Sequence, residues 1–255
     1  MSRRVLVIAL AAALVAAACE GSASSDDDRE LTVAAAASLT AAFTQIGAEF
    51  QEETGVAVAF TFGPSDGLAT QIVEGAPVDV FASASPAWMD AIGERGPGVR
   101  RRTNFARNRL AVIVPADNPA NIHEIDDLAT DGVQLVLAAE GVPAGNYARE
   151  ILANASIADA ALANIVSNEE DVAGVVTKVL TGEADAGIAY VTDVTAEVAG
   201  RISVVEIPDD VNVIATYPIA VIADSNRPDV AREFVEFVLG PGQRALADHG
   251  FLPAE

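Results

Sequence analysis

Leu31-Thr-Val-Ala-Ala-Ala-Ala37, followed at once by Ser38-Leu39-Thr40 and a run to Phe50, is the stretch whose reading decides the fold. Seven apolar or small residues make a short buried strand. Beyond them Leu39, Ala42/Phe43, Ile46 and Phe50 recur at three- and four-residue spacing, with Glu49 and Glu52 off that face, which predicts an amphipathic helix. Ser38 then falls at the helix N-cap. The first N–H groups of a helix lack intrahelical partners, and the helix dipole places partial positive charge at the same end. A strand that drives into a serine and a helix start can therefore receive an anion. A serine that only caps its own helix is the simpler reading of one such junction. Repetition along the chain favours the anion.

Working outward, Val56–Phe62 is a second strand, and Gly63-Pro64-Ser65-Asp66-Gly67 turns into a helix over Leu68–Val73, again with a serine at the cap. Val78–Ala82 is a third strand, and Ser85-Pro86 opens a helix with serine at the N-cap and proline at the first helical position. Residues 93–102, rich in Gly and Arg, read as a loop. Leu110–Val114 is a buried strand stopped by Pro115, and a short helix is expected around Ile122–Leu128. His123 and Asp126-Asp127 lie there on a solvated polar face.

Gln134–Ala139 is the next strand, Glu140–Gly145 a turn, and Asn146–Leu152 the start of a helix, with the N–H of Ala144 facing out of the turn. Ser167-Asn-Glu-Glu-Asp171 leads into a helix with Val172, Val175/Val176 and Val179/Leu180 on its apolar face. Glu170 and Asp171 complement the helix dipole there, while early N–H groups including that of Val172 stay available. Gly187–Val191 is a buried strand in which Tyr190 reads equally as core or as ligand, and Thr192-Asp193 cap the next helix. Residues 204–207 and 215–222, then helices around 229–239 and 243–248, complete the chain. Short apolar strands alternating with amphipathic helices predict an α/β fold of layered, mainly parallel sheets flanked by helices.

Composition narrows the function. At 255 residues and 51% hydrophobic, the chain can fill one large core or two modest ones. A formal charge of −22, with 15 scattered basic residues, excludes nucleic acid as a partner, because phosphate backbones need clustered Lys and Arg. One cysteine excludes a disulfide framework and a multi-cysteine metal site. No Gly-x-Ser-x-Gly elbow and no phosphate loop ending in Gly-Lys occurs, and neither histidine has a nucleophile beside it, so an enzyme is not expected.

The single cysteine is informative by its position. Arg3-Arg4, an apolar run from Val5 to Ala17 and Ala16-Ala-Ala-Cys19 resemble a bacterial lipoprotein signal with its lipobox. That resemblance implies a signal peptide over 1–18, cleavage before Cys19, a lipid on Cys19 and a flexible tether over 19–30. Loss of two arginines would take the charge to −24. The mature protein is then expected on the extracytoplasmic face of the cell membrane, held there by its lipid alone.

Taken together, Ala35-Ala-Ala-Ser38-Leu-Thr, Phe62-Gly-Pro-Ser65, Gly75-Ala-Pro-Val-Asp-Val-Phe-Ala-Ser-Ala84, Trp88-Met-Asp90, Val142-Pro-Ala-Gly145-x-Tyr147-Ala, Glu170-Asp-Val172, Gly187-Ile-Ala-Tyr190, Tyr217-Pro-Ile-Ala220 and Gly250-Phe251 resemble the periplasmic molybdate-binding proteins of ABC importers. The resemblance covers about Leu31 to Phe251, with its segments in the family's order. It implies a type II periplasmic-binding-protein fold of two lobes with the ligand cleft between them. Lobe one is expected over 31–109 plus 219–255 and lobe two over 110–218. It also implies a monomer that delivers molybdate or tungstate to a permease, with no cofactor.

By the same resemblance, Ser38 and Ser65 match the family's two hydroxyl donors, Ala144 and Val172 its backbone N–H donors, and Tyr190 its phenolic donor. The chemistry agrees, since a tetrahedral dianion offers acceptors only and wants donors around it. Hydroxyls, amides and helix N-termini supply them without a lysine. A site of donors has nothing to receive the proton of hydrogen phosphate. Asp66 directly after Ser65 is a departure. Turned to the cleft, it would oppose an anion by about 4 kcal/mol for unit charges roughly 4 Å apart at a surface-like dielectric. Asp66 and Asp171 are therefore expected to cap their helices or face water. The rivals are a receptor for another tetrahedral oxyanion such as sulfate, and a ferric-ion or organic-acid receptor. A ferric site would want paired tyrosines with a His or carboxylate, whereas Tyr147, Tyr190 and Tyr217 are expected to be well separated.

Overall fold

A computed structural model describes residues 30–255. The expected signal peptide, Cys19 and all but the last residue of the expected tether lie outside the described residues.

Strand β1 (Glu30–Ala36) lies between β2 (Ala57–Gly63) and β3 (Val80–Ala82), parallel to both. Helix α1 (Thr40–Thr54) buries Ala42, Phe43, Ile46 and Phe50, the face that the spacing predicts. Beyond it come α2 (Ser65–Val73) and α3 (Pro86–Arg95). The odd residues Leu31, Val33 and Ala35 of β1 join one core, with Phe43, Phe50 and Phe234. Ala34 points the other way, to Leu68, Ile72, Phe81 and Met89. Alternation along one strand thus gives this sheet a covered face on each side. The first core is aromatic: Phe50 and Phe234 meet edge-on at 5.3 Å, and Phe43 meets Phe105 at 5.6 Å. Full burial of each such ring contributes roughly 1.5–3 kcal/mol.

Strand β4 (Val99–Pro115) is the long element that ties the sheet together. Its first part, through Arg109, pairs antiparallel with β9 (Ile214–Ile222). From Leu110 onward it pairs with β7 (Ala186–Tyr190) and β8 (Ile202–Glu206). Strand β5 (Leu135–Ala138) then runs parallel to β6 (Ile165–Glu169) and to β7, giving the order β2-β1-β3-β9-β4-β7-β5-β6. Helices α4 (Pro143–Asn154), α5 (Ala158–Ala163) and α6 (Val172–Leu180) flank this second half. Helices α7 (Pro228–Leu239) and α8 (Gln243–Asp248) return to the first, where α7 adds Phe234 and Phe237 to the core. The expected parallel pairing holds for the strand–helix units, and β4 and β9 contribute the antiparallel pairs.

Two local expectations change. The Gly/Arg-rich stretch read as a loop over 93–102 is helix to Arg95 and strand from Val99. Arg100, Arg101 and Arg102 are exposed on that strand, and Arg101 takes a φ of 55° where the register with β9 slips. A bulged strand start carrying three solvated arginines has no apolar alternation to reveal it. Around His123 the structure has a polar turn into a 3-10 segment, Ile125–Ala129, and Asp127 accepts the N–H of His123 at 2.7 Å.

Candidate functional site

Five strand ends and helix starts converge on one cavity. Its lining includes all five expected residues, Ser38, Ser65, Ala144, Val172 and Tyr190. About 20 Å³ is open to the centre of a water-sized sphere. One water needs roughly 10–15 Å³ on that measure, so the space suits one compact ion. Ser38 and Ser65 arrive from the β1 and β2 ends, Ala144 and Val172 from the starts of α4 and α6, and Tyr190 from the end of β7.

The serines do not cap helices as expected. A 3-10 turn, Ala37–Leu39, precedes α1 and carries the helix start back past Ser38, whose side chain makes no cap bond. Its Oγ lies 3.0 Å from the Tyr217 hydroxyl instead. Helix α2 begins at Ser65 itself, three residues earlier than expected, with Pro64 before it. Ser65 is buried, and its Oγ accepts the Ala84 N–H at 3.1 Å. Neither hydroxyl oxygen is therefore spent on a helix terminus.

On the opposite side α4 starts at Pro143, earlier than Asn146. Proline has no N–H, so Ala144 presents the first free donor of that helix. Arg149 holds the turn from behind, donating to the carbonyls of Ala138 at 2.8 Å and Gly145 at 2.9 Å. In α6, Asp171 caps as expected, its carboxylate accepting the Gly174 N–H at 2.9 Å. That bond satisfies the third N–H and leaves Val172 free at the first. Tyr190 is 1% exposed, and its hydroxyl is buried with no partner. Burial raises its phenol well above the ordinary value, so it stays protonated and able to donate.

Asp66 makes no cap bond to α2, and it is only partly exposed. One carboxylate oxygen is buried without a partner, and the other lies 3.6 Å from where a Cβ on Gly141 would stand. The carboxylate is turned toward the 139–142 turn and is not part of the cavity lining. Asp193 caps no helix after it. It closes a 3-10 turn, Val191–Asp193, by accepting the Tyr190 N–H at 2.9 Å. Burial pushes its carboxyl up to about 7, against the lowering effect of that bond, with Asp171 adding to the rise. A partly protonated Asp193 opposes an anion near Tyr190 less than a full carboxylate would.

Two contacts join the sides of the cavity. The Trp88 indole N–H donates to the Gly141 carbonyl at 2.9 Å, and the Tyr147 hydroxyl donates to the Ala84 carbonyl at 3.3 Å. Sequence reasoning missed both, and it missed Asn108 and Tyr217 behind Ser38. The separation of the tyrosines is corrected: Tyr190 and Tyr217 pack edge-on with centroids 5.9 Å apart. Strand β4 brings them together, because it pairs with β9 at Ala106↔Tyr217 and with β7 at Leu110↔Tyr190. A buried tyrosine needs a partner for its hydroxyl, and that was the available signal for Tyr217. Among the described residues no group of three or more His, Cys, Asp or Glu is placed to hold a metal ion, and no helix is long and apolar enough to cross a membrane.

Helix-flanked sheets with a small donor-lined cavity define a solute-binding protein of the type II periplasmic-binding fold. The chain belongs to the bacterial extracellular solute-binding proteins, whose family model matches residues 31–252. It is 39% identical to the molybdate-binding protein ModA of Mycobacterium tuberculosis H37Rv, over 95% of this chain and 94% of that one. It is 35% identical to ModA of Escherichia coli K12, over 94% and 95% respectively. The solved periplasmic molybdate-binding protein of Azotobacter vinelandii superposes with a TM-score of 0.77 at 21% identity, covering 88% of this chain and 100% of that one.

Proposed function

We propose that this chain is the extracytoplasmic capture protein of an ABC importer for molybdate, with tungstate as a second substrate, and that it is not an enzyme. The observation that carries the reading is the donor set: Ser38, Ser65, Ala144, Val172 and Tyr190 line one ion-sized cavity, and Tyr190 offers a buried hydroxyl with no protein partner. The names of the full-length relatives support the choice of oxyanion. In this reading 31–109 with 219–255 forms one lobe and 110–218 the other, and the anion is bound by donors from both. The protein needs no cofactor, acts as a monomer and hands its cargo to a permease.

Binding that requires both lobes favours the closed form and so stabilises the fold. At a hundredfold excess over Kd the gain is about 2.7 kcal/mol, which for a chain of this size raises the melting temperature by roughly 5–11 °C. Molybdate and tungstate are expected to produce that shift. Sulfate and phosphate at equal concentration are expected to move it little, because a smaller or protonated anion cannot engage all five donors. A sulfate shift as large as the molybdate shift would make this a general oxyanion receptor. A shift with ferric iron alone would reject the anion site.

We also propose that Cys19 is the lipid-bearing first residue of the mature protein, on the lipobox-like junction before it. Mass spectrometry of the mature N-terminus is expected to find a lipid-modified Cys19. An unmodified N-terminus well downstream of it would reject the anchor.

A further inference from the structure

We propose that Asn108 and Tyr217 are positioning residues that lock the Ser38 hydroxyl as a donor toward the cavity, and so bias the site against an oxyanion carrying a proton. The inference rests on the oxyanion reading above and adds how a neutral site sets its preference for a fully deprotonated ligand.

The chain of bonds has one consistent direction. Asn108 is 1% exposed, and its Oδ1 accepts the N–H of Arg109 at 2.9 Å, so its amide nitrogen must face the other way. There it donates to Thr192 Oγ1 at 2.8 Å and to the Tyr217 hydroxyl at 3.4 Å. A phenol carries one hydrogen. Of the two side chains within hydrogen-bond distance of that phenol, Asn108 presents its NH2, so Ser38 Oγ at 3.0 Å is the one that can accept the hydrogen. Tyr217 is fully buried, and burial raises its phenol above the ordinary value, so the hydrogen is retained.

Ser38 therefore accepts from behind and has its own hydrogen to give to the cavity. Turning that hydroxyl to accept from a protonated ligand would take its hydrogen away from the bound anion and lose that bond. Ser65 is arranged alike, with the buried Ala84 N–H donating into its oxygen. Both hydroxyls could in isolation give or take a hydrogen bond. The groups behind them make each a donor.

The test is a double-mutant cycle on the full chain, read by calorimetric titration with molybdate. Tyr217→Phe removes one hydroxyl and keeps the ring against Tyr190, Phe105 and Phe251. It is expected to weaken molybdate about 2- to 10-fold in the wild-type background, the span of one neutral hydrogen bond. In the Ser38→Ala background the same change is expected to cost less than about twofold, because the relay then has nothing to orient. The variant is also expected to narrow the margin by which molybdate outcompetes inorganic phosphate. Equal losses in both backgrounds, with an unchanged margin, would mean that Tyr217 acts only through packing and would overturn the inference. Wild-type protein that binds molybdate while the cycle comes out additive leaves the importer reading intact. Wild-type protein that binds no oxyanion removes both.

Discussion

Ser38→Ala and Ser65→Ala are each expected to weaken molybdate binding by about 1.5–3 kcal/mol, the range for hydrogen bonds to a charged group, or roughly 10- to 150-fold in Kd. Calorimetric titration reads this directly. The stability effects should differ. Ser65 is 1% exposed and accepts the Ala84 N–H, so its removal leaves a buried donor unpaired and costs about 1–3 kcal/mol of folding free energy as well. Ser38→Ala likewise takes the acceptor from the buried Tyr217 hydroxyl, but Ser38 itself is only partly buried, and water can replace part of what is lost. The expected pattern is two losses of affinity, with the larger loss of melting temperature in Ser65→Ala. Unchanged affinity in both variants would reduce the serines to structural parts of their turns and defeat the site.

How much of this was legible in the sequence depends on the range of each interaction. The buried face of α1 follows from spacing within fifteen residues, and Ser85-Pro86 gives a true cap, Ser85 accepting the Ala87 N–H at 3.3 Å. Asp171 likewise caps the helix it precedes. Ser38 and Ser65 have the same local signature and behave differently, because tertiary partners claim their oxygens from 179 and 19 positions away. Local sequence carries no record of such partners. For that reason the five residues that share the cavity were reached through the ordered set of family-like segments, while the role of helix cap, read from local pattern, was wrong for both serines. The start of β4 fails differently. Its pairing with β9 is set by a partner more than a hundred residues away, and its solvated arginines give no alternation to read. The same strand brings Tyr190 against Tyr217, which no spacing along the chain suggests.

Gly145 should be the least replaceable residue near the cavity. A Cβ built there would sit 2.2 Å from the Ala139 carbonyl oxygen and 2.3 Å from that of Ala138. Both are backbone atoms at the end of β5, so no side chain can turn aside to make room. Arg149 fixes the same spacing by bonding the carbonyls of Ala138 and Gly145 together. Gly145→Ala must therefore push the first turn of α4 away from the sheet, carrying the Ala144 N–H with it. Overpacking of this kind costs about 1–3 kcal/mol, roughly 2–12 °C in melting temperature for a chain of this length. Oxyanion affinity is expected to fall at least about tenfold in the same variant, since a displaced donor loses a charge-assisted bond. Gly93→Ala is the matched control. It lies inside α3 with no atom within 4 Å of the added Cβ, and alanine there should stabilise the helix by about 0.5–1 kcal/mol while leaving binding unchanged. Near-wild-type melting and affinity in Gly145→Ala would show that the 138–145 turn has slack, and would remove Ala144 from the rigid donor set on which the oxyanion reading depends.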